Sequence, residues 1–300
     1  MRDIDIKTLR LLVAVCDQQN IKHAAAQENI EPSAISKRIA QLEASLGTAV
    51  LVRNRRGVQP TPAGLALLEH ARTMLFTMDR IESDMAAFTG GVRGHVRVVA
   101  SASAIAESLL DDVASFMRLE SNRNVKVDIE EGLSRDIVHA VRDGRAAVGV
   151  CWDTADFEAL RHRPYRQDQL ALAVHAGHPL AGRDTLTFSE SLQFQHVGLQ
   201  ANSAVNRMLQ RAAAHEGANL DYRVIVSNFD AAFRAVAANL GVSVIPVQVG
   251  SAYASLGEVR LIPLTDSWAT RRFAVCFRDE KGLQPAALRM VDYLASRANP

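Results

Sequence analysis

Polar and cationic side chains cluster between residues 33 and 38, and their chemistry suits contact with nucleic acid. The hydroxyls of Ser33 and Ser36 can donate or accept hydrogen bonds at base edges and phosphates. Lys37 and Arg38 can reach a phosphate or the edge of a guanine. An ordinary amphipathic helix would expose the same residues to solvent, so the neighbouring elements must distinguish a DNA-binding face from a solvated one.

The stretch from Asn20 to Gly47 has the pattern of two short helices joined by a tight turn. Asn20 can cap the first helix, which carries Lys22, and Pro32 suits the first position of the second helix because its missing N–H costs nothing there. Apolar residues at helical spacing turn the opposite face of the second helix toward a core, at Ile35, Ile39, Leu42 and Leu46. The pattern predicts a helix-turn-helix, with Lys22 and Pro32 added to the DNA contacts.

A hairpin rich in arginine follows the second helix. Val50–Val52 and Val58–Thr61 have the pattern of two short strands, and the turn region between them carries Arg53, Arg55 and Arg56. Arginines in this place suit a phosphate backbone or a minor groove. The sequence therefore predicts a wing that binds DNA, although a solvated charged turn stays an alternative.

A long helix is predicted next, with Thr61 as its cap and Pro62 at its first position, running to about Phe88. Apolar residues recur along it in steps of four and three, at Leu67, Ala71, Met74, Met78, Ile81, Met85 and Phe88. This seven-residue repeat is typical of a coiled-coil seam. We expect the helix to pair with the same helix of a second chain, and packing within its own domain is the alternative.

At this point the chain resembles the LysR-type transcriptional regulators. The resemblance is carried by Ala24-Ala25, by the segment AISKRIAQLEASLG at 34–47, by the arginine wing and by TPAG at 61–64. It covers the first ninety residues closely and the remainder by layout. It implies a multidomain α/β protein with an N-terminal winged helix-turn-helix, a long linker helix and an effector-binding domain.

The chain departs from the family pattern at three positions. Pro32 stands where the family often has a glutamine that contacts bases, Glu28 where leucine is frequent, and Leu51 where phenylalanine is usual. Pro32 removes a side-chain donor, so base recognition must depend on Ser33, Ser36 and Lys37.

Strand and helix patterns alternate beyond the Gly90-Gly91 hinge, which predicts parallel sheets with right-handed crossovers. The expected domains are a winged helix-turn-helix at 1–60, with its two helices at about 20–40, a linker helix at 61–89 and an effector domain at 90–300. The resemblance implies that the effector domain is built from two α/β subdomains, as in periplasmic binding proteins. We place the first at 92–164 with 268–300, and the second at 165–267.

Ligands of open α/β sheets bind beyond the carboxyl ends of strands and near helix starts. Applied to the predicted strands, this rule selects Ser101, Ser103, Gly132, Trp152, Gln200, Asn202, Ser203 and Phe229. Hydroxyls and free N–H groups at helix starts favour an anion, so we expect a small effector that bears a carboxylate. Simple helix capping by the same serines and asparagine is the alternative.

No residues indicate catalysis, a cofactor or a metal site. Cys151 and His178 could be imagined as a thiol nucleophile and its base, but His178 lies in a Gly-His-Pro turn and nothing places it near Cys151. The three cysteines lack metal-ligand spacing, and the nine histidines show no pairing at four-residue separation. We therefore expect a protein that is not an enzyme.

Charge and hydropathy restrict the remaining possibilities. The net charge is +1, but the segment from Lys22 to Arg56 contains six cations and three anions. This modest basic patch suits DNA binding by an oligomer. No apolar run approaches a membrane span and the N-terminus lacks a secretory core, so we expect a cytoplasmic protein without a membrane partner.

The expected partners are double-stranded operator DNA, a second copy of the chain through the linker helix, a dimer of dimers and a small effector, with RNA polymerase as a further candidate. A solute-binding protein with an unrelated N-terminus, or an enzyme with an appended DNA-binding module, are the alternatives.

Overall fold

The computed structural model describes residues 4–54, 57–87, 93–201, 203–253 and 257–298. The chain divides into two compact units, Met1–Arg93 with Asp143–Arg145, and Gly94–Arg142 with Ala146–Pro300. We call them the N-terminal unit and the effector unit. Within the described ranges, no helix is both long and apolar enough to cross a membrane.

Three helices form the centre of the N-terminal unit: α1 (Ile6–Gln18), α2 (Ile21–Gln27) and α3 (Pro32–Leu46). Side-chain caps begin the first two, because Asp5 accepts from the N–H of Thr8 and Asn20 accepts from the N–H groups of Lys22 and His23. Pro32 occupies the first turn of α3, as the sequence predicts. The first helix of the helix-turn-helix therefore begins at its capping residue Asn20, and the second begins at Pro32.

A short hairpin and a long helix complete this unit. Strands β1 (Leu51–Asn54) and β2 (Gly57–Pro60) pair antiparallel, and α4 (Pro62–Ala87) follows. Gly57 has φ +124°, and a Cβ there would lie 2.4 Å from the carbonyl oxygen of Gln19. Only glycine fits this close approach, which ties the hairpin to the end of α1.

The Thr-Pro-Ala-Gly segment joins the hairpin to α4 through three hydrogen bonds of Thr61. Its hydroxyl donates to the Ala49 carbonyl at 2.7 Å and accepts from the N–H of Gly64 at 3.0 Å. Its N–H donates to the Val50 carbonyl at 3.0 Å. A Cβ at Gly64 would lie 1.9 Å from that carbonyl oxygen, so the glycine allows α4 to start against the hairpin.

The effector unit begins with alternating strands and helices. In chain order these are β3 (Arg93–Ala100), α5 (Ala102–Ala104), a π-helical turn (Ile105–Leu109), α6 (Leu110–Arg118), β4 (Asn124–Glu131), α7 (Ser134–Arg142) and β5 (Val148–Trp152). The π turn was not predicted. Leu109 at its end is fully buried, whereas the next residue, Leu110, is 53% exposed.

The rest of the unit contains a long strand followed by shorter elements. They are β6 (Arg161–His175), α8 (Phe188–Ser191), β7 (His196–Leu199), α9 (Ala204–His215), β8 (Tyr222–Val226), α10 (Phe229–Ala237), β9 (Ser243–Pro246), α11 (Val247–Tyr253), β10 (Val259–Pro263), β11 (Thr270–Phe277) and α12 (Pro285–Ala295). Helices α8 and α11 were not predicted.

The main sheet has seven strands and is mixed, so the prediction of parallel sheets applies to only part of it. Its order is β10-β6-β11-β5-β3-β4, with β9 also paired to β6. Strands β3 and β5 are parallel, whereas β11 runs antiparallel to both β5 and β6. The returning strand enters from the opposite end of the sheet, which a pattern of local alternation does not reveal.

Strand β6 links two halves of the effector unit. Its first part pairs with β11, and from Leu170 onward it pairs with β9 and β10. We call the part around β3, β4, β5 and β11 the first half, and the part around β7, β8, β9 and β10 the second half. The crossing expected near 165–170 therefore occurs inside one continuous strand of 15 residues.

Candidate DNA interface and effector site

The polar face of α3 is exposed as its spacing predicts. Ile35, Ile39 and Leu42 are at most 4% exposed in the core of the N-terminal unit, whereas Ser33 and Lys37 are exposed. Ser36 is half-buried on the same side of the helix as these two residues. A hydroxyl and an ammonium group are thus available on a helix of the size that a major groove admits.

Arg38 has a contact that the sequence did not reveal. Its guanidinium donates to the Thr8 hydroxyl at 3.4 Å and lies 3.5 Å from the Asp5 carboxylate. Hydrogen bonds from Thr8 lower the pKa of Asp5, and the charge of Arg38 contributes further. Arg38 therefore joins α3 to the start of α1, and this role competes with its predicted role at the DNA.

Of the remaining residues predicted to contact DNA, the structure describes only some. Lys22 is exposed on α2 and Pro32 is half-buried at the start of α3. Arg53 lies on β1 opposite Val58. Arg55 and Arg56 lie outside the described residues, so the function of the wing arginines stays a prediction.

The predicted seam on α4 divides into two parts. Leu67 packs against the core of the N-terminal unit, and Ala71 is fully buried where α4 lies along α1. Arg72 next to it donates to the Asp17 carboxylate of α1 at 2.5 Å. Leu67 and Ala71 therefore pack within the N-terminal unit, as the alternative interpretation of the repeat allows, because an apolar repeat has the same spacing whichever helix it contacts.

The second part of the seam remains open to solvent. Met74, Ile81 and Met85 are 45%, 49% and 57% exposed, and Met78 between them is half-buried. Phe88 lies outside the described residues. A stripe of apolar side chains this exposed suits contact with another protein surface.

Two of the predicted effector residues in the first half are used inside the fold. Ser101 caps α5 by accepting from the N–H of Ala104 at 3.4 Å, and it is 7% exposed. Gly132 donates its N–H to the Ala100 carbonyl at 2.9 Å, and a Cβ there would lie 3.0 Å from Val99. Both lie where β3 and β4 end, which is the edge that the sequence selected.

The other two residues of the first half surround a buried ion pair. Arg271 of β11 binds Asp168 of β6 through two hydrogen bonds, one of 2.7 Å from Nε to Oδ1 and one from Nη2 to Oδ2. The two side chains are 4% and 0% exposed. Ser103 accepts a further bond from this guanidinium at 3.2 Å, and the Trp152 ring centroid lies 4.7 Å from its Cζ. Each of the three guanidinium nitrogens of Arg271 thus donates a hydrogen bond to a protein group.

Sequence reasoning missed this ion pair and its neighbours. Asp168 and Arg271 are 103 residues apart and meet only because β6 and β11 pair in this register. Burial raises the pKa of Asp168, and the Arg271 guanidinium opposes that shift. The indole N–H of Trp152 is buried and has no hydrogen-bond partner among the described residues.

Glu107 and Gln248 also lie in this region and were not predicted. Burial raises the pKa of Glu107 to about 7, with the Asp168 carboxylate adding to the shift and a hydrogen bond with Gln248 opposing it. Glu107 belongs to the π turn of the first half, whereas Gln248 belongs to α11 of the second half. A signal for this contact is absent from the local sequence.

The predicted residues of the second half differ in exposure. Gln200 is exposed at the end of β7, and Ser203 caps α9 by accepting from the N–H of Asn206 at 3.1 Å. Asn202 lies outside the described residues. Phe229 is 6% exposed in the hydrophobic core of this half, which leaves little of its ring to face a ligand.

The structure does not assemble the conceivable thiol and imidazole pair. Cys151 is fully buried in the core of the first half, while His178 contacts the Phe194 ring in the second half. A hydrogen bond with Cys276 and burial both raise the pKa of Cys151. Among the described residues, no group of three or more acidic, cysteine or histidine side chains could hold a metal ion.

Two family models match the chain. The model described as "Bacterial regulatory helix-turn-helix protein, lysR family" matches residues 6–65. The model described as "LysR substrate binding domain" matches residues 89–299. Together they account for the N-terminal helix-turn-helix and for the effector unit.

Curated relatives are similar along most of the chain. The HTH-type transcriptional regulator CbbR of Sinorhizobium medicae (strain WSM419) is 26% identical over 302 residues, which cover 99% of this chain and 94% of the relative. The HTH-type transcriptional regulator CysL of Bacillus subtilis (strain 168) is 26% identical over 238 residues, which cover 79% of each chain.

Solved structures share the fold at lower identity. The crystal structure of CbnR, a LysR family transcriptional regulator, has a TM-score of 0.69 and 22% identity over 99% of this chain and all of that chain. A full-length OxyR variant from Pseudomonas aeruginosa has a TM-score of 0.73 and 18% identity over 99% and 95%. CbnR complexed with its target DNA gives a TM-score of 0.58 at 22% identity over 99% and 100%.

Proposed function

Because this chain belongs to the LysR family of DNA-binding transcription regulators, we propose that α3 reads an operator and that a small effector in the other unit controls this binding. The observation that carries the proposal is the exposed polar face of α3, set on a helix-turn-helix whose apolar face is buried. Since both family models match in one chain, DNA recognition and ligand response occur in the same molecule.

Base recognition is assigned to α3 and affinity to the basic residues around it. Ser33, Ser36 and Lys37 present a hydroxyl-rich, cationic surface, and Pro32 beside them lacks the side-chain donor that a glutamine would supply. Lys22 of α2 and the wing arginines Arg53, Arg55 and Arg56 add sequence-independent contacts to phosphate or the minor groove. Arg38 contributes mainly by holding α3 against α1.

Dimerisation is assigned to the exposed stripe of α4. Met74, Met78, Ile81 and Met85 recur in steps of four, three and four, which is the spacing of a two-helix seam. Two chains paired in this way carry two recognition helices for two half-sites, and two such dimers would contact more DNA. CbnR, whose structure with its target DNA has the same fold, supports this mode of binding.

The effector site is assigned to the region between the two halves of the effector unit. We assign to it Gln200 and the N-terminus of α9 at Ser203 from the second half, and Ser101 and Gly132 from the first, since each follows the end of a strand. Because Arg271 is committed to Asp168, a carboxylate ligand would depend on free N–H groups and hydroxyls at these chain ends rather than on that guanidinium. A carboxylate-bearing metabolite remains the proposed ligand class.

Control follows if the effector prefers one arrangement of the two halves. A ligand that binds both arrangements equally would shift nothing, so the difference in affinity is the regulatory quantity. We assign α4 as the element that passes the change to the recognition helices, and RNA polymerase as a candidate further partner of the DNA-bound form.

A gel-shift experiment with the DNA upstream of the protein's own gene tests the DNA-binding assignment. Lys37→Ala should weaken binding to that DNA, whereas Lys126→Ala, an equally exposed lysine on β4 of the effector unit, should not. A chain without residues 1–60 should not bind at all. Binding that survives this truncation, or equal effects of the two lysine variants, would contradict the assignment.

A further inference from the structure

The π turn is the place where a helix of the first half touches the second half. Ile105–Leu109 packs against α11, and Ala102 and Ala106 pack against the hydrophobic core of the second half. π-helical turns are rare and occur frequently at functional sites, because they interrupt the regular hydrogen-bond ladder. This contact therefore joins the halves independently of strands β6 and β11.

Glu107 places a carboxyl group inside this contact. It is half-buried on the π turn and hydrogen-bonds with the side chain of Gln248, which is exposed on α11. The amide of Gln248 can donate to a carboxylate or accept from a carboxylic acid, so the bond forms in either protonation state. The charge state of Glu107 can then change without a new partner being needed.

Charged groups of both signs surround Glu107, and its burial is the largest cause of its raised pKa. Asp168 of β6 repels it, while Arg166 and Arg271 attract it, but each arginine is bound to another carboxylate. Arg166 donates to Asp112 of α6 at 2.7 and 2.9 Å. Exposed Asp111 follows Glu107 by four residues, and the described side chains of α11 include no titratable group.

We propose that proton binding at Glu107 controls the contact between the two halves of the effector unit. Ionisation of Glu107 favours opening of the contact, because a carboxylate regains water when the π turn leaves α11, and the Gln248 bond offsets part of this effect. This regulation rests on the proposed function, because the arrangement of the halves is the quantity that the effector and the DNA-binding helices share. A pH change in the neutral range would then alter the response to the effector.

The sign follows from the two states of the contact. Glu107 has a pKa of about 7 when the halves are in contact, and its ordinary value of 4.5 applies when the contact opens to water. The closed state therefore binds more protons, is favoured below pH 4.5, and loses this advantage as pH rises to about 7. These two values allow opening to increase by up to about tenfold between pH 6 and pH 8.

Hydrogen exchange of the full chain tests the proposal without a ligand. Wild type and Glu107→Gln are compared at pH 6 and pH 8 in peptides that cover Ile105–Leu109 and Val247–Tyr253. Comparison at equal pH cancels the intrinsic exchange rate. The ratio of wild-type to variant rate should rise by up to about tenfold from pH 6 to pH 8, because glutamine does not ionise.

Two further variants separate titration from structural damage. Glu120→Gln removes an exposed carboxylate of the same half. The ratio of the wild-type exchange rate to the rate of this variant should be independent of pH. Gln248→Ala removes a hydrogen bond that favours the Glu107 carboxylate. In this variant the increase in exchange, relative to Glu107→Gln, should therefore occur at higher pH than in wild type. A ratio for Glu107→Gln that does not change with pH, or that changes equally in peptides from α7, overturns the proposal.

The gel-shift experiment distinguishes failure of this proposal from failure of the proposed function. Exchange that depends on Glu107, in a protein that does not bind its own upstream DNA, would support the proton-controlled contact and refute the DNA-binding assignment. Normal operator binding, together with exchange that is independent of Glu107, would support the DNA-binding assignment and refute the proton-controlled contact.

Discussion

Breaking the buried ion pair of the effector unit should cost more stability than breaking an exposed one. Asp168→Asn leaves the Arg271 guanidinium, 4% exposed, without its countercharge. Removing one partner of a buried pair typically costs about 3–5 kcal/mol of the free energy of unfolding. Asparagine retains one acceptor oxygen, so we expect a loss near 3 kcal/mol, roughly the lower end of that range.

Urea unfolding followed by tryptophan fluorescence measures this loss. Both tryptophans of the chain, Trp152 and Trp268, lie in the effector unit, so the signal reports on that unit alone. Small proteins have slopes of about 1–3 kcal/mol per molar urea, so a 3 kcal/mol loss lowers the midpoint by roughly 1–1.5 M for a slope of ~2–3.

A matched control and a double variant make the interpretation specific. Glu158→Gln breaks an ion pair with Arg142 whose side chains are 40% and 43% exposed, and it should cost about 0–1 kcal/mol. Asp168→Leu combined with Arg271→Met removes both charges, so it should recover much of the loss, since apolar replacements of buried pairs are often neutral or stabilising. If Asp168→Asn costs no more than Glu158→Gln, the ion pair is not the buried, charge-balanced unit described above.

Three further predictions concern the N-terminal unit. Ser36→Ala should weaken specific operator binding more than binding to unrelated DNA, by about 0.5–1.5 kcal/mol if its hydroxyl contacts a base, and equal losses on both DNAs in a gel-shift assay would contradict this. Arg55→Ala with Arg56→Ala should weaken binding to both DNAs and lower the slope of log affinity against log salt by roughly one to two, whereas unchanged binding at low and high salt would remove the wing from the interface. Ile81→Asp should dissociate the dimer in sedimentation experiments, with Leu65→Asp, an exposed leucine off the seam, as the control; a dimer that survives Ile81→Asp would exclude the seam.

Local residue patterns predict the N-terminal unit well because its elements are specified by neighbours in the chain. Asn20 caps α2 through N–H groups two and three residues away, and Pro32 begins α3 by the same short-range geometry. The burial of Ile35, Ile39 and Leu42 follows from helical spacing alone, and it fixes which side chains of α3 face outward. The apolar repeat of α4 does not identify the surface that each residue packs against. Its spacing predicts that Leu67 and Ala71 are buried, but not that α1 covers Ala71.

The effector unit depends on contacts between distant segments, so much of its site had to come from the tertiary structure. The strands were largely predictable, but the pairing of β6 with β11 brings together Asp168 and Arg271, which no local pattern connects. The same pairing commits the Arg271 guanidinium to Asp168. Glu107 illustrates the physical reason: its sequence neighbours are ordinary, and its unusual pKa arises from burial and from Asp168 of a strand sixty-one residues away. The side chains that α3 turns outward are thus set by short-range periodicity, whereas the charge state of Glu107 and Asp168 is set by how distant chain segments meet.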